Sequence, residues 1–391
     1  MNNILKKISF SFCANIFSVF VSLLMILVLP KIMTMEDYGI WQLFMFYFSY
    51  VGFFHFGWID GIYLRYGGQN FSALSRKTFG GQFWLLLILL LVEFAIVNIL
   101  LILGIIKNSV LIFVLRVSSI AGVFYIIFAY VNFILQLSDK IKEYAKNIIL
   151  ERFLILLLTL ICITLIETKY DKVVYVTIMS EFLAMSFGLY TIRDLIFVER
   201  DTLYNAMNEA YVNISAGSKL MLANIAGMLI LGIIRFGISQ EWDIVTFGKV
   251  SLTLNISNFL MVFISAVSIV LFPILKRINQ DRLAEIYVLL RNILSYSLLA
   301  MLITYYPLKI LLLYWLPKYS DSLVYMGLLL PICVFESKLQ MLVNTYLKSL
   351  RQEALMLKIN FISVIFALFM TYITVVLLHN LKLAILSIVI N

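Results

Sequence analysis

Charged residues are scarce in this chain. Only 13% of its 391 residues are Asp, Glu, Lys or Arg, whereas about a quarter is usual for a soluble domain. Hydrophobic residues make up 63%, and the mean hydropathy is +1.02. Such a chain cannot cover its apolar surface with polar groups, so a lipid bilayer must be its solvent. Its apolar blocks are continuous and about 20 residues or longer, which excludes the alternating strands of an outer-membrane barrel and predicts helices.

Cysteine and histidine are also rare, with three and two residues respectively. Cys13, Cys162 and Cys333 lie far apart inside apolar blocks, without the spacing of a metal or redox site. His55 and His379 are too distant from each other to form one. The chain also lacks a glycine-rich phosphate loop, a Ser-His-Asp order and paired acids in a water-exposed domain. We therefore expect no metal, no cofactor and no enzymatic activity.

The formal net charge of +9 raises the possibility of nucleic-acid binding. We exclude that interpretation, because the basic residues lie at helix ends and in short connectors, where they orient the chain in the membrane. Their distribution predicts a multi-pass protein with a cytoplasmic N-terminus. The first apolar block follows Lys6 and Lys7, lacks a small-residue cleavage site and is followed at once by another span. It is therefore predicted to be a transmembrane helix rather than a removed signal.

Hydropathy predicts about twelve spans that repeat after six. Ala14-Asn15-Ile16 returns as Ala223-Asn224-Ile225, 209 positions later, and span boundaries in the two halves match at the same offset. Six spans per half is an even number, so both halves enter the membrane from the same side and the repeat is parallel. The predicted spans are 9–29, 38–63, 82–106, 109–137, 147–166, 172–193, 214–236, 244–274, 287–315, 320–346 and 357–378, followed by a stub from 381.

This pattern predicts an all-α membrane protein with two six-helix lobes. The N-terminal lobe covers residues 1–193 with helices 1–6, and a cytoplasmic interfacial linker covers 194–213. The second lobe covers 214–391 with helices 7–11 and part of helix 12. The stub from Leu381 to Asn391 reaches only about half of the hydrocarbon core. We therefore expect that the twelfth helix is truncated.

Ionisable residues at membrane depth are costly, so each of them calls for a reason. Long basic side chains near an interface either line a cavity or reach the headgroups as anchors. Acids near mid-span either face a cavity, form a buried pair or stay protonated in the core. The basic candidates are Arg116, Lys249, Lys338 and Arg65, and the acidic candidates are Glu93, Glu181, Glu336 and Asp60.

Several motifs resemble a known transporter family. Leu29-Pro30-Lys31, Glu36-Asp37-Tyr38-Gly39 and Phe56-Gly57-Trp58-Ile59-Asp60-Gly61 are similar to the start of a Wzx-type polysaccharide flippase. This family belongs to the multidrug, oligosaccharidyl-lipid and polysaccharide exporter superfamily, which also contains the multidrug and toxin extruders (MATE). The resemblance extends to Ser265-Ala266-Val267 and Leu271-Phe272-Pro273.

The resemblance implies two six-helix bundles around a V-shaped cavity in the bacterial inner membrane. It implies that undecaprenyl-pyrophosphate-linked oligosaccharide repeat units are turned to the periplasmic leaflet for O-antigen or capsular polysaccharide synthesis. Such transporters present cationic residues to the pyrophosphate, and depth and charge assign this role to the four basic candidates. Independently of the resemblance, the four acidic candidates are expected to couple an ion or proton to resetting. A polysaccharide polymerase and a chain-length regulator are the implied protein partners, beside membrane lipids.

Other functions stay open at this stage. A MATE-type multidrug or cation antiporter would need an acidic cation site in one lobe, and the surplus of basic residues at membrane depth argues against it. A membrane polysaccharide polymerase or ligase handles the same lipid-linked sugars, but it usually carries a long periplasmic loop, and the outer connectors here are short. A scaffold for a glycan assembly complex is a further alternative.

Overall fold

The computed structural model describes residues 2–165, 168–199, 201–258, 280–344, 347 and 352–390. Within these ranges the regular structure is helical, and eight helices are long and apolar enough to cross a membrane. The prediction of an all-α membrane protein is confirmed. The chain divides into two compact units, the first formed by Met1–Met25 with Ile32–Leu222 and the second by Ile26–Lys31 with Ala223–Asn391. The motifs at 265–267 and 271–273 lie outside the described residues.

The first unit contains most of the first helix, seven further helices and the first half of a ninth. These are α1 (Asn2–Ile32), α2 (Met35–Val51), α3 (Trp58–Tyr66), α4 (Arg76–Ile102), α5 (Ser109–Leu137), α6 (Ile141–Leu165), α7 (Tyr170–Thr191), α8 (Arg193–Ile196) and α9 (Leu203–Glu241).

Polar side chains mark where several of these helices begin. Ser75 precedes α4, and its hydroxyl accepts a hydrogen bond from the backbone N–H of Thr78 at 3.3 Å. Asn108 precedes α5, and its side-chain oxygen accepts from the N–H of Leu111 at 3.1 Å. Each cap satisfies an N–H group that has no partner within the helix. The long apolar runs therefore start at defined positions.

The core of the first unit lies between α4, α5 and α7. Phe79 and Phe83 of α4 pack with fully buried Tyr130 of α5, whose hydroxyl donates to the carbonyl of Phe79 at 2.9 Å. Other apolar side chains of α4, such as Ile88 and Ile99, are exposed. Since the chain lies in a bilayer, this exposed apolar surface is the lipid-facing side of the helix.

The predicted span 38–63 is divided into two helices. A 3₁₀ turn at Gly52–His55 follows α2, and Phe56 and Gly57 then have positive φ angles of 53° and 82° before α3 begins. A side chain at Gly57 would place its Cβ 2.6 Å from the backbone nitrogen of Ser218 in α9. Only glycine combines this backbone conformation with such a close approach. The break is therefore set by the sequence and by the packing of α9.

One long helix, α9, is shared by the two units. Its 39 residues extend about 58 Å, roughly twice the thickness of the hydrocarbon core. The division between the units falls after Leu222, inside this helix. The segment predicted as a linker, 194–213, contains α8 and the first turns of α9. Its role as a cytoplasmic interfacial linker stays a prediction.

The second unit continues with helices that contain several irregular turns. They are α10 (residues 244–258, where the described segment ends), α11 (Gln280–Ile303), α12 (Tyr305–Trp315), α13 (Leu323–Lys338), α14 (Glu353–Thr371) and α15 (Leu381–Ile390). A 3₁₀ segment at Pro317–Ser322 precedes α13, and π-helical turns follow α13 at Leu339–Asn344 and α14 at Tyr372–Leu377. The predicted stub from Leu381 corresponds to α15.

Candidate functional site

Two buried acids and one guanidinium form a cluster in the first unit. Glu151 of α6 is 2% exposed and Glu181 of α7 is 4% exposed. The Nε atom of Arg152 lies 3.0 Å from Oε2 of Glu151. Glu181 interacts electrostatically with both Glu151 and Arg152, and its buried Oε2 has no hydrogen-bond partner in the described part of the chain. With both acids ionised the cluster carries one net negative charge, so it is suited to take up one proton or cation.

Tight packing between α5, α6 and α7 positions this cluster. Asn147 lies one turn before Glu151 on α6, and its Nδ2 donates to Oδ1 of Asn132 on α5 at 2.8 Å. A Cβ added at Gly188 of α7 would lie 2.9 Å from the same Nδ2. A small residue at 188 therefore lets the helices approach closely while the two amides bond inside the membrane.

Tyr125 of α5 connects the acid cluster to the helix break. Its ring packs edge-on against Phe48 of α2, with centroids 5.4 Å apart. A Cβ added at Gly52 would lie 3.2 Å from Cε1 of the same ring. Tyr125 also interacts electrostatically with Glu181, Arg152 and Glu151. Charge changes in the cluster therefore act on a side chain that contacts the break.

Glu93 of α4 lines a small pocket elsewhere in the first unit. The pocket has a volume of about 40 Å³, which has room for a few water molecules. Val51 and Phe54 from the helix break and Ser119 and Gly122 from α5 are among its other lining residues. Oε1 of Glu93 is buried without a hydrogen-bond partner among the described residues. The acid therefore faces a cavity in the protein.

Asp60 lies in the first turn of α3, just after the break. Its side chain is 13% exposed, and Oδ2 lies 4.0 Å from Nε2 of His55, whose side chain is 12% exposed. Nδ1 of His55 accepts a hydrogen bond from the backbone N–H of Gly57 at 3.1 Å. Asp60 thus has a titratable neighbour that the sequence analysis considered only as a metal ligand.

Arg65, at the other end of α3, bonds to α9. Its Nη1 lies 2.5 Å from both Oε1 of Glu209 and Oδ1 of Asn213. The hydroxyl of Tyr66 donates to the same Glu209 oxygen at 2.6 Å. Tyr66 lies beyond the end of the predicted span. Burial, followed by the neighbouring Glu209, raises the pKa of its hydroxyl to about 12. It therefore stays a donor at physiological pH.

Buried amides extend this network to α4. Gln82 is almost fully buried, and its Oε1 accepts from Nε1 of Trp58 at 2.5 Å and from Nδ2 of Asn213 at 3.2 Å. Its Nε2 donates to the carbonyl of Ala206 at 2.9 Å. The first turns of α9 are thus bonded to both α3 and α4.

In the second unit, Arg235 of α9 contacts one face of α10, and Lys249 projects from another face of α10. Nη2 of Arg235, on α9, lies 3.1 Å from the hydroxyl of Ser251, and its guanidinium lies over the ring of Phe247 at 5.6 Å. Phe247 and Ser251 are four residues apart and share a face of α10. Lys249 lies between them in sequence and projects from another face, where it is half-buried. Arg235 and Lys249 therefore do not form one pair.

The structure also describes the three remaining predicted site residues. Arg116 is exposed on α5, and Glu336 and Lys338 are half-buried near the end of α13. Lys338 immediately precedes the π-helical turn at Leu339–Asn344. The roles of all eight predicted site residues in binding or coupling stay predictions.

Several important residues were missed by the sequence analysis. Glu151 and Arg152 form part of the buried cluster, although both lie inside the predicted span 147–166, where any ionisable residue calls for a reason. That rule was sufficient to find them. Gln82 and Asn213 are different, because a neutral amide in an apolar run gives no signal about the residue that it meets.

Comparison with known proteins supports the fold independently. Over 96% of this chain and 93% of the other, it is similar to the inward-facing conformation of a multidrug resistance MATE family transporter of the MOP superfamily, with a TM-score of 0.68 and 15% identity. It also resembles a MATE protein crystallised with MaL6, with a TM-score of 0.59, 14% identity and coverage of 98% and 92%.

A third similar structure is a MATE protein in complex with MaD5, with a TM-score of 0.52 and 13% identity. No protein-family model matches the sequence, and no curated protein matches it. The chain therefore has the fold of the MATE transporters of the MOP superfamily. At these identities the likeness establishes the fold and leaves the substrate open.

Proposed function

We propose that this protein is a transporter that turns undecaprenyl-pyrophosphate-linked oligosaccharide repeat units from the cytoplasmic to the periplasmic leaflet by alternating access. The observation that carries the proposal is the position of basic side chains at membrane depth in the second unit. Arg235 is held by a ring and a hydroxyl, Lys309 lies over the ring of Tyr305 at 5.7 Å, and Lys249 is half-buried. Such cations suit an anionic headgroup.

The physics of the transfer agrees with this role. A pyrophosphate cannot cross hydrocarbon without partners, whereas the lipid tail can stay in the bilayer while the sugar passes along a hydrated path. An inside-negative membrane potential favours outward movement of the anion, by about 2.3 kcal/mol per charge per 100 mV. The cations reduce the cost of desolvation, and the potential supplies part of the driving force.

The acids of the first unit supply the coupling in this proposal. Glu181 and Glu151 share one guanidinium, and Glu93 faces its own small pocket. A proton or cation bound at one of these acids would reset the transporter after release of the substrate. If Glu93→Gln and Glu181→Gln both leave flipping in vesicles unchanged, coupling through these two acids is wrong.

A MATE-type multidrug or cation antiporter is the second candidate. The buried pair Glu151 and Glu181 favours it, because an exporter of organic cations needs acids in one lobe. The two functions predict that charge removal impairs the transport of different substrates. Lys249→Met should reduce transport of an anionic lipid-linked sugar, whereas Glu181→Gln should abolish export of an organic cation.

Deletion of the gene tests the proposal directly. We expect lipid-linked repeat units to accumulate on the inner leaflet and surface polymer to disappear, with complementation by the wild-type gene as the control. Sensitivity to organic cations is measured in the same strains. Normal surface polymer together with raised sensitivity to organic cations would reject the flippase and support the antiporter.

Reconstitution tests the role of the basic residues. Purified protein in lipid vesicles is supplied with a fluorescent isoprenyl-pyrophosphate-linked sugar, and flipping is read by quenching of the probe in the outer leaflet. We expect Lys249→Met to slow flipping at least tenfold and Lys249→Arg to retain most of it. Lys107→Met, on an exposed residue of the connector between α4 and α5, is the matched control.

A further inference from the structure

The break between α2 and α3 leaves backbone groups that regular helices would satisfy. Gly57 is in the left-handed region, and its N–H bonds to Nδ1 of His55 at 3.1 Å instead of to a helical carbonyl. A nitrogen that accepts an N–H must have its lone pair free. His55 is therefore held as the neutral tautomer that carries its single proton on Nε2.

This tautomer directs its N–H toward an acid. Nε2 of His55 lies 4.0 Å from Oδ2 of Asp60, and both side chains are mostly buried at 12% and 13% exposure. The distance is longer than a direct hydrogen bond, so the imidazole N–H acts on the carboxylate through its dipole or through one water molecule. The backbone turn thus orients a donor toward Asp60.

The elements that contact the break also carry titratable or charged groups. They are Tyr47 and Tyr50 on α2, Glu93 on α4, Tyr125 on α5, Tyr63 and Arg65 on α3, and Glu209 and Lys219 on α9. Arg65 and Glu209 bond to each other, Glu93 faces its pocket and Lys219 is exposed. Among the described residues, His55 is the only basic group within 4.0 Å of Asp60.

The site is suited to a proton rather than a metal ion. Hard cations require several oxygen ligands, and the described residues contain no cluster of three His, Cys, Asp or Glu side chains. The N–H of His55 points toward the carboxylate and would repel a cation there. Close packing also limits the space, because a Cβ at Gly217 of α9 would lie 3.0 Å from the backbone carbonyl carbon of Asp60.

We propose that Asp60 is a proton-binding site at the break between α2 and α3, and that His55 is the residue that positions and stabilises its carboxylate. Binding takes a proton from hydronium and converts the carboxylate to a carboxylic acid, which releases water. The protonated site is neutral and the deprotonated site carries one negative charge in a region of low dielectric. Because Asp60 lies against α9, the change occurs where α3 contacts the helix that continues into the second unit.

The tautomer of His55 is the first test. The chain has only two histidines, so His379→Gln leaves His55 as the single signal in the full-length protein labelled with ¹⁵N-histidine in lipid nanodiscs. We expect a neutral ring with its proton on Nε2 at neutral pH, because Nδ1 accepts from the N–H of Gly57. A proton on Nδ1, or a charged ring at neutral pH, would overturn the proposal.

Titration of Asp60 is the second test. Infrared spectra of the wild type minus Asp60→Asn isolate the Asp60 carboxyl, and Asp194→Asn provides the same difference for a carboxylate that is 78% exposed. We expect His55→Phe to move the Asp60 midpoint toward higher pH by about one unit, because the carboxylate loses the N–H that faces it. The Asp194 midpoint should not move.

A conservative variant separates this effect from misfolding. Glutamine at position 55 can accept from Gly57 and donate toward Asp60, so His55→Gln should restore most of the wild-type midpoint. Equal midpoints in the wild type, His55→Phe and His55→Gln would contradict the proposal. The use of this proton in transport rests on the proposed function. An Asp60→Asn protein that flips lipid-linked sugar normally would reject that use, whereas the spectra test the proton site itself.

Discussion

The two units of the molecule hold some of their charged side chains in different ways. In the first unit, Arg152 lies beside Glu151, and Arg65 lies beside Glu209 while its guanidinium also lies over the ring of Tyr66. In the second unit, Lys309 lies over the ring of Tyr305 at 5.7 Å. An ion pair cancels charge and fixes geometry, whereas a ring attracts a cation and leaves its charge in place.

Lys31 follows the pattern of the second unit. Although it lies at the end of α1, the segment Ile26–Lys31 packs with that unit. Its ammonium lies 5.1 Å from the ring centroid of Trp315 and donates to the carbonyl of the same residue at 2.7 Å. The comparison teaches that two guanidinium groups of the first unit, those of Arg152 and Arg65, are each held next to an acid. In the second unit, Lys31 and Lys309 lie over aromatic rings, which leave the charge of a cation in place.

The largest effect is expected from a substitution that disrupts the contact between α3 and α9. A Cβ at Gly61 of α3 would lie 1.8 Å from the backbone carbonyl oxygen of Asn213 in α9. We expect Gly61→Leu to abolish monodisperse protein in size-exclusion chromatography, because backbone cannot move aside without separating the helices. The matched control is Gly227→Ala in the second half of α9, where an added Cβ meets nothing within 4 Å. Folded Gly61→Leu protein with wild-type stability would contradict the packing.

The second prediction removes one member of the paired charges. Arg152→Met leaves buried Glu151 without its guanidinium, and we expect a loss of about 3 kcal/mol in unfolding free energy. This is the low end of the range for buried pairs, because Arg152 is 38% exposed. Denaturant unfolding in detergent measures the loss. The double variant Glu151→Gln with Arg152→Met should recover most of it, and strictly additive losses would show that the pair is not coupled.

A smaller loss is expected in the amide network. Asn213→Leu removes partners of Gln82 and Arg65, and a buried polar group without a partner costs about 2 kcal/mol. Asn98→Leu on α4 is the control, since Asn98 is half-buried and its Nδ2 donates to the carbonyl of Phe94 in its own helix at 2.8 Å, with only a long contact of 3.4 Å to the hydroxyl of Ser119 on α5. In thermal unfolding, Asn213→Leu should lower Tm clearly more than Asn98→Leu does. Equal Tm values would reject a structural role for the network.

The smallest effect is expected in the second unit. Lys309→Met removes a cation from the ring of Tyr305, and we expect a loss below about 1 kcal/mol. The same denaturant assay applies, with Lys309→Arg as the variant that keeps the charge. A loss as large as that of Arg152→Met would remove the contrast between the two units.

Much of this architecture was readable from the chain. Continuous apolar runs specified the helices and the class of protein, since only a bilayer solvates such a composition. Glu181 and Glu93 were recognised because acids at membrane depth are rare, and the structure places the first in a cluster and the second in a pocket. The break at Gly57 was not recognised, because apolar residues continue through it and hydropathy does not record φ.

The sequence by itself determined that the protein lies in a membrane, where most of its helices run and how few charges they carry, because hydrophobicity is a property of single residues summed along a chain. Only the tertiary structure decided which charges meet. Arg65 bonds to Glu209 across 144 positions, and Gln82 bonds to Asn213 across 131. Such pairs depend on the close approach of helices at residues such as Gly61 and Gly57, and no local pattern encodes the partner.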